Sequence, residues 1–148
     1  MPADLKCLIN SHERKLFVGI GNILKSDDGI GVYIAKQIRE RDKIKTLVVE
    51  VSIENYIGKI NKISHDVLIL IDAVDFQQEP GFFALLTPDE IMDYTATTHN
   101  ISISKLLGFF RSPVLILGIQ PRSLALGENI SESVKKQADI ILAVINAI

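Results

Sequence analysis

Short apolar runs alternate with longer amphipathic stretches along this chain. Leu16 to Ile20 is apolar up to Gly21 and predicts a buried strand. Leu47 to Val51, rich in valine, predicts a second. Val67 to Ile71 is an unbroken aliphatic run closed by Asp72, and such a run belongs in the middle of a parallel sheet. Pro80-Gly81 turns the chain into Phe82 to Leu86, a predicted edge strand, and Pro113 opens a further strand, Val114 to Ile119. Between these runs the spacing turns helical. Leu5 to Ile9 predicts a short helix. A second starts near Asp28, with Ser26 as its N-cap, Asp27 and Asp28 at the positive end of its dipole, and Ile30, Tyr33, Ile34 and Ile38 on one face. Asn55 to Ile63 predicts a third, with Ile57 and Ile60 inward, and Ile101 to Phe110 a fourth. Asn129 followed by Glu132 fits a capping pattern for the last helix, whose stripe is Val134, Ile141, Val144, Ile145 and Ile148.

Strands alternating with helices predict an α/β fold, a three-layer sandwich with a mostly parallel twisted sheet and helices on both faces. At 148 residues the chain is expected to form one domain, residues 1–148. Composition changes this picture only by exclusion. With 23% charged residues and a net charge of −2, no basic cluster points to nucleic acid or to a lipid surface. No apolar run approaches the ~18 residues of a membrane span, and the charged N-terminus lacks the apolar core of a signal peptide, so a cytoplasmic location and no membrane insertion are expected. The single cysteine, Cys7, forbids an intramolecular disulfide and is expected as a buried, inert packing residue.

In a doubly wound sheet the chemistry sits at the carboxyl ends of the strands. Four polar clusters fall there: Gly19-Ile-Gly-Asn-Ile-Leu-Lys-Ser-Asp-Asp-Gly-Ile-Gly31, Asp72-Ala-Val-Asp75, Thr97-Thr-His-Asn100 and Gly118-Ile-Gln-Pro121. Singly, each has an ordinary explanation. Asp72 suits a turn, Asp28 a first helical turn, and His99 a surface or capping position. Together, two carboxylates converging at one edge repel unless something positive lies between them, and an imidazole completes a set of two O donors and one N donor. Three protein ligands with open positions describe a reactive site for a divalent metal such as zinc or nickel. Asn22, Asp27, Thr98, Asn100 and Gln120 are candidates to orient those ligands from behind or to bind an extended peptide. Gly29 and Gly31, early in a helix, each cost about 1 kcal/mol against alanine, which points to close packing or an approaching ligand. No Ser-His-Asp or Cys-His arrangement is present, which favours metal-assisted hydrolysis.

Two other readings compete. Gly19-Ile-Gly21 after a strand, with Glu50 ending the next, outlines a dinucleotide site. However, Leu24 stands where the third glycine belongs, and Asp27 and Asp28 would repel a pyrophosphate. A receiver-like, Mg²⁺-binding signalling domain accounts for Asp27, Asp28 and Asp72. It requires a lysine where Gln120-Pro121 stands, and it leaves His99 without a role.

The segments from about Leu16 to the C-terminal helix resemble the nickel–iron hydrogenase maturation endopeptidases. Val18-Gly-Ile-Gly-Asn-Ile-Leu-Lys-Ser-Asp-Asp-Gly-Ile-Gly31 and Ile71-Asp-Ala-Val74 carry the likeness. Thr97-Thr-His-Asn100 and Leu117-Gly-Ile-Gln-Pro121 point to the branch serving formate-hydrogenlyase-type, membrane-associated hydrogenases. The resemblance implies an endopeptidase that removes a C-terminal tail from the nickel-loaded large-subunit precursor. It implies Asp28, Asp72 and His99 as the residues contacting a divalent metal, namely nickel presented by the substrate. A monomer is expected. A non-catalytic checkpoint that senses nickel in the precursor would use the same ligands. One departure stands out: the family's glycine-containing turn after the second strand is replaced here by Glu50-Val-Ser-Ile-Glu-Asn55.

Overall fold

A computed structural model describes residues 2–92, 105–127 and 129–147. The elements in chain order are α1 (Pro2–Asn10), β1 (Lys15–Ile20), α2 (Ile30–Ala35), β2 (Ile44–Glu50), α3 (Ile57–Lys62), β3 (Val67–Ala73), β4 (Phe83–Leu86), α4 (Pro88–Ile91), β5 (Val114–Ile119) and α5 (Glu132–Ile145). Tight 3-10 turns over Ser26–Gly29 and Ile53–Tyr56 lead into α2 and α3. The sheet order is β2-β1-β3-β5-β4. β1, β2, β3 and β5 run parallel, and only the edge strand β4 is antiparallel. This is the expected sandwich.

Every residue of β3 is buried, as its unbroken aliphatic run requires. Phe17, Ile69, Ile71 and Leu117 face one layer, where they meet Ile30 and Ile34 of α2 and Val134, Ile141 and Ile145 of α5. Leu16, Val18, Leu68 and Leu70 face the other, against Ile60 of α3 and Ile91 of α4. The period-two alternation of strands with both faces covered thus builds two separate cores. Leaving β1, the chain crosses to β2 on one side; leaving β2, it crosses back over β1 to β3 on the other. The ends of β1 and β3 are therefore the switch point of the sheet, where ligands bind in such folds.

Three local expectations are corrected. Ser26 does not cap α2. It has φ 51, and its hydroxyl donates to the Asn129 carbonyl at 2.8 Å. The N-cap of α5 is Ser131 rather than Asn129. Cys7 is exposed, because α1 buries only the face that carries Leu5. The far end of α1 is held by the buried Lys15, whose ammonium donates to the carbonyls of Ile9 (3.1 Å) and Ser11 (2.7 Å). A cation at a helix carboxyl end is favourable, while burial pulls the lysine's pKa down. The predicted helix over Ile101 to Phe110 lies partly outside the described residues, of which Leu107–Phe109 form a 3-10 turn.

At the amino edge of the sheet, Asp66 receives the Arg14 backbone N–H (2.7 Å) and a two-pronged guanidinium contact at 3.1 and 2.9 Å. The Arg14 side-chain bonds, and then its backbone bond, hold the Asp66 carboxyl down to about 2 against an ordinary 3.8. Because the folded value lies below the unfolded one, this contribution is complete above the ordinary value and drains away as pH falls towards 2. The stability gap between the protein and its Asp66→Asn variant is therefore expected to close as pH falls from about 4 to about 2. Urea midpoints across that range would show it, and a gap that stayed constant would contradict the assignment.

Candidate active site

The site is built on how closely the first loop packs against the sheet. Just beyond β1 stands Gly21, which has φ 142 and lies so near the turn that a Cβ there would stand 1.9 Å from the Asp28 carbonyl. Only glycine fits that conformation and that space. Gly31 at the start of α2 rides directly over the strand ends: a Cβ on it would lie 2.1 Å from the Ile71 carbonyl and 2.4 Å from that of Ile20. The glycines that look expensive in a helix are thus explained by backbone contact. Their packing sets the Ser26–Gly29 turn on β3, beside the peptide that precedes Asp72.

Asp28, on the turn packed against β3, and Asp72, near the carboxyl end of β3, both belong to this switch point. Both are nearly fully buried, at 3% and 2% exposure. Asp28 accepts the Asn22 backbone N–H at 3.0 Å, and Asn22 in turn receives the Leu24 N–H on its side-chain oxygen at 2.9 Å. Asn22 therefore shapes the loop that orients Asp28. Asp72 lies opposite Gly118 in the β3–β5 register and accepts the N–H of Ala73 at 2.8 Å. Among the described residues no group of three or more His, Cys, Asp or Glu could hold a metal. The carboxylates supply two oxygen donors, which suit a divalent cation. The third expected donor, His99, lies outside the described residues, as do Thr98 and Asn100.

Asp27 and Gln120 work from behind. The Asp27 carboxylate accepts four hydrogen bonds: the N–H groups of Arg122 (2.8 Å), Ser123 (3.1 Å) and Ser131 (2.7 Å), and the Ser131 hydroxyl (2.7 Å). With its lone pairs so engaged, it clamps the segment after β5 onto the first loop. Gln120 uses both ends of its amide. Its oxygen receives Phe76 N–H (2.6 Å) and Gln78 N–H (3.3 Å), while its nitrogen donates to Asp75 (3.2 Å) and the Pro121 carbonyl (3.2 Å). An amide offers two acceptor and two donor positions, so none is left for a substrate backbone. Of the two roles expected for Asp27 and Gln120, the geometry allows support of the loops. Sequence reasoning missed the Ser131 hydroxyl, which nothing local in the chain announces.

The segment that replaces the glycine turn follows β2 directly. Glu50 adopts φ 55, a left-handed conformation that costs a non-glycine residue about 1–2 kcal/mol. Its carbonyl receives the Gly21 N–H at 2.9 Å, which ties this strained residue to the end of β1. Val51 beyond it is half exposed. The β1–β2 register slips between Gly19 and Ile20 at this point. The turn is made without glycine, and the chain bears its strain.

The same fold occurs in known proteins. The Hydrogenase 3 maturation protease of Escherichia coli is 31% identical over 108 residues, which is 69% of each chain. The crystal structure of a [NiFe] hydrogenase maturation protease, HycI, from Thermococcus kodakarensis superposes with a TM-score of 0.78 at 28% identity, covering 97% of this chain and 99% of the other. The hydrogenase maturating endopeptidase HybD of E. coli shares the fold, with a TM-score of 0.70 at 24% identity over 87% of each chain. The family model for the HycI hydrogenase maturation protease matches residues 32–148, a span that takes in Asp72 and His99 and opens just after the Asp28 turn. With a five-stranded sheet of this topology, two buried carboxylates at its switch point and a family match over most of its length, the chain belongs to the hydrogenase maturation proteases.

Proposed function

We propose that this chain is the endopeptidase that removes a C-terminal tail from the nickel-loaded large-subunit precursor of a nickel–iron hydrogenase. Family membership gives it processing of such precursors. The observation that supports the finer reading is the burial of two carboxylates, Asp28 on the turn packed against β3 and Asp72 near the end of β3, where the sheet switches direction. In this reading nickel arrives as part of the substrate. Asp28 and Asp72 meet it through oxygen and His99 through nitrogen. Nickel recognised this way places the neighbouring peptide bond in the cleft. Hydrolysis adds water across that bond: the water oxygen joins the carbonyl carbon, the C–N bond breaks, and the departing nitrogen takes a proton. A carboxylate that is not fully engaged by the metal is suited to relay that proton. Cys7 has no part in this, since α1 packs back to the amino end of β1, the edge opposite the two aspartates.

The test is a processing assay with the purified protein and its cognate precursor, with and without nickel, read by mass spectrometry. Loss of one discrete C-terminal peptide, from the nickel-loaded form alone, is the expected result. Nickel-dependent binding of a demonstrably loaded precursor without cleavage would replace the endopeptidase reading with that of a checkpoint.

A further inference from the structure

The loop that carries Asp28 is zipped to the loop after β5. Gly127 donates to the Leu24 carbonyl at 2.8 Å, and Ser26 donates to the Gly127 carbonyl at 2.6 Å. These two bonds form a parallel bridge between Lys25 and Gly127. Leu24 and Leu126 each directly precede one end of this bridge. Both are in water, Leu24 at 56% exposure and Leu126 at 89%, and Leu124 on the same loop is 37% exposed. A leucine on a loose loop folds back onto the nearest apolar surface. These are prevented from doing so, because the bridge, the Ser26 hydroxyl on Asn129 and the Asp27 carboxylate on Arg122, Ser123 and Ser131 fix both loops.

We infer that Leu24, Leu124 and Leu126 form a preset apolar platform that docks the folded precursor beside the bond to be cut. This inference rests on the endopeptidase reading. The platform stands on the two loops that position Asp28, so a protein presenting a segment to Asp28 has to press against it. A second copy of this chain is the poorer occupant. It would cover the site, and three leucines fall far short of the ~1,200 Å² that a specific interface buries. The precursor, by contrast, must also engage the residues around Asp28 and Asp72, and the platform adds one hot spot to that interface.

The experiment uses Leu126→Asp and the double variant Leu24→Asp/Leu126→Asp, with Ile140→Asp on the exposed face of α5 as the matched control. All four proteins, wild type included, are expected to melt alike. Binding of nickel-loaded precursor and steady-state processing are measured separately. The double variant is expected to weaken binding and raise KM by at least about tenfold, with kcat at saturating precursor within about twofold of wild type. The Ile140 variant is expected to match wild type, and Leu126→Met to restore most of the binding. Unchanged binding in the double variant would overturn the platform. So would an equal loss in the Ile140 variant, or wild-type self-association that the leucine changes abolish while processing stays intact. A wild type that binds precursor without cutting it would overturn the endopeptidase reading alone, and the binding comparison would still decide the platform.

Discussion

Asp72→Asn is expected to fold as the parent does and to lose processing of the nickel-loaded precursor by about 10³-fold or more, a change of about 4 kcal/mol in the barrier. The asparagine oxygen can still accept the Ala73 N–H, so the strand end keeps that hydrogen bond while the charge is removed. Asp28→Asn should act in the same way, since its amide oxygen can still receive the Asn22 N–H. Asp27→Asn is a different lesion. Both carboxylate oxygens of Asp27 face donors, so one of them would meet an amide NH₂ instead, and the damage should appear as a lowered melting temperature. The separation between a chemical defect at Asp28 and Asp72 and a folding defect at Asp27 is the informative result. Processing by Asp72→Asn within a few-fold of wild type would remove the carboxylate from the reaction.

Gly31→Ala is expected to destabilise the fold by about 3 kcal/mol or more, lowering the melting temperature by about 10 °C. The added methyl would sit 2.1 Å from the Ile71 carbonyl and 2.4 Å from the Ile20 carbonyl. Both are backbone atoms of central strands, so α2 would have to lift, and the turn that carries Asp28 would lift with it. Gly58 in α3 is the control, because nothing lies within 4 Å of the place its Cβ would take. Gly58→Ala should be neutral or stabilise by up to about 1 kcal/mol through helix propensity. Thermal melts of the two variants decide the matter. Similar curves would mean that the close approach of α2 to the sheet is misplaced.

The strands were legible because burial on both faces leaves no polar interruption, as in Val67 to Ile71. The site was legible where polarity follows such a run directly, as Asp72 does, since a charge at that edge needs a reason. Side chains in loops were harder to read. Ser26 and Asn129 have the composition of helix caps, yet they meet each other across 103 positions. Gln120 looks equally fit to greet a peptide or to pin a loop, and only the placement of Phe76 and Asp75 decides which. Long-range hydrogen bonds leave no periodicity in the chain, so local capping rules assign Ser26 and Asn129 to the nearest helix. At Glu50 the chain takes a left-handed conformation without glycine, which the residue type alone does not announce.

The Asp27 clamp bears on when activity can arise during synthesis. Its donors lie about a hundred positions further on, at Arg122, Ser123 and Ser131. A nascent chain that has emerged as far as β3 already carries Asp28 and Asp72, but Asp27 is then a carboxylate without these four donors. The loops that orient Asp28 close only once Arg122, Ser123 and Ser131 have been made. In this order of assembly the two carboxylates exist before the contacts that hold their loop, and a chain cut short after β5 is expected to lack the clamp.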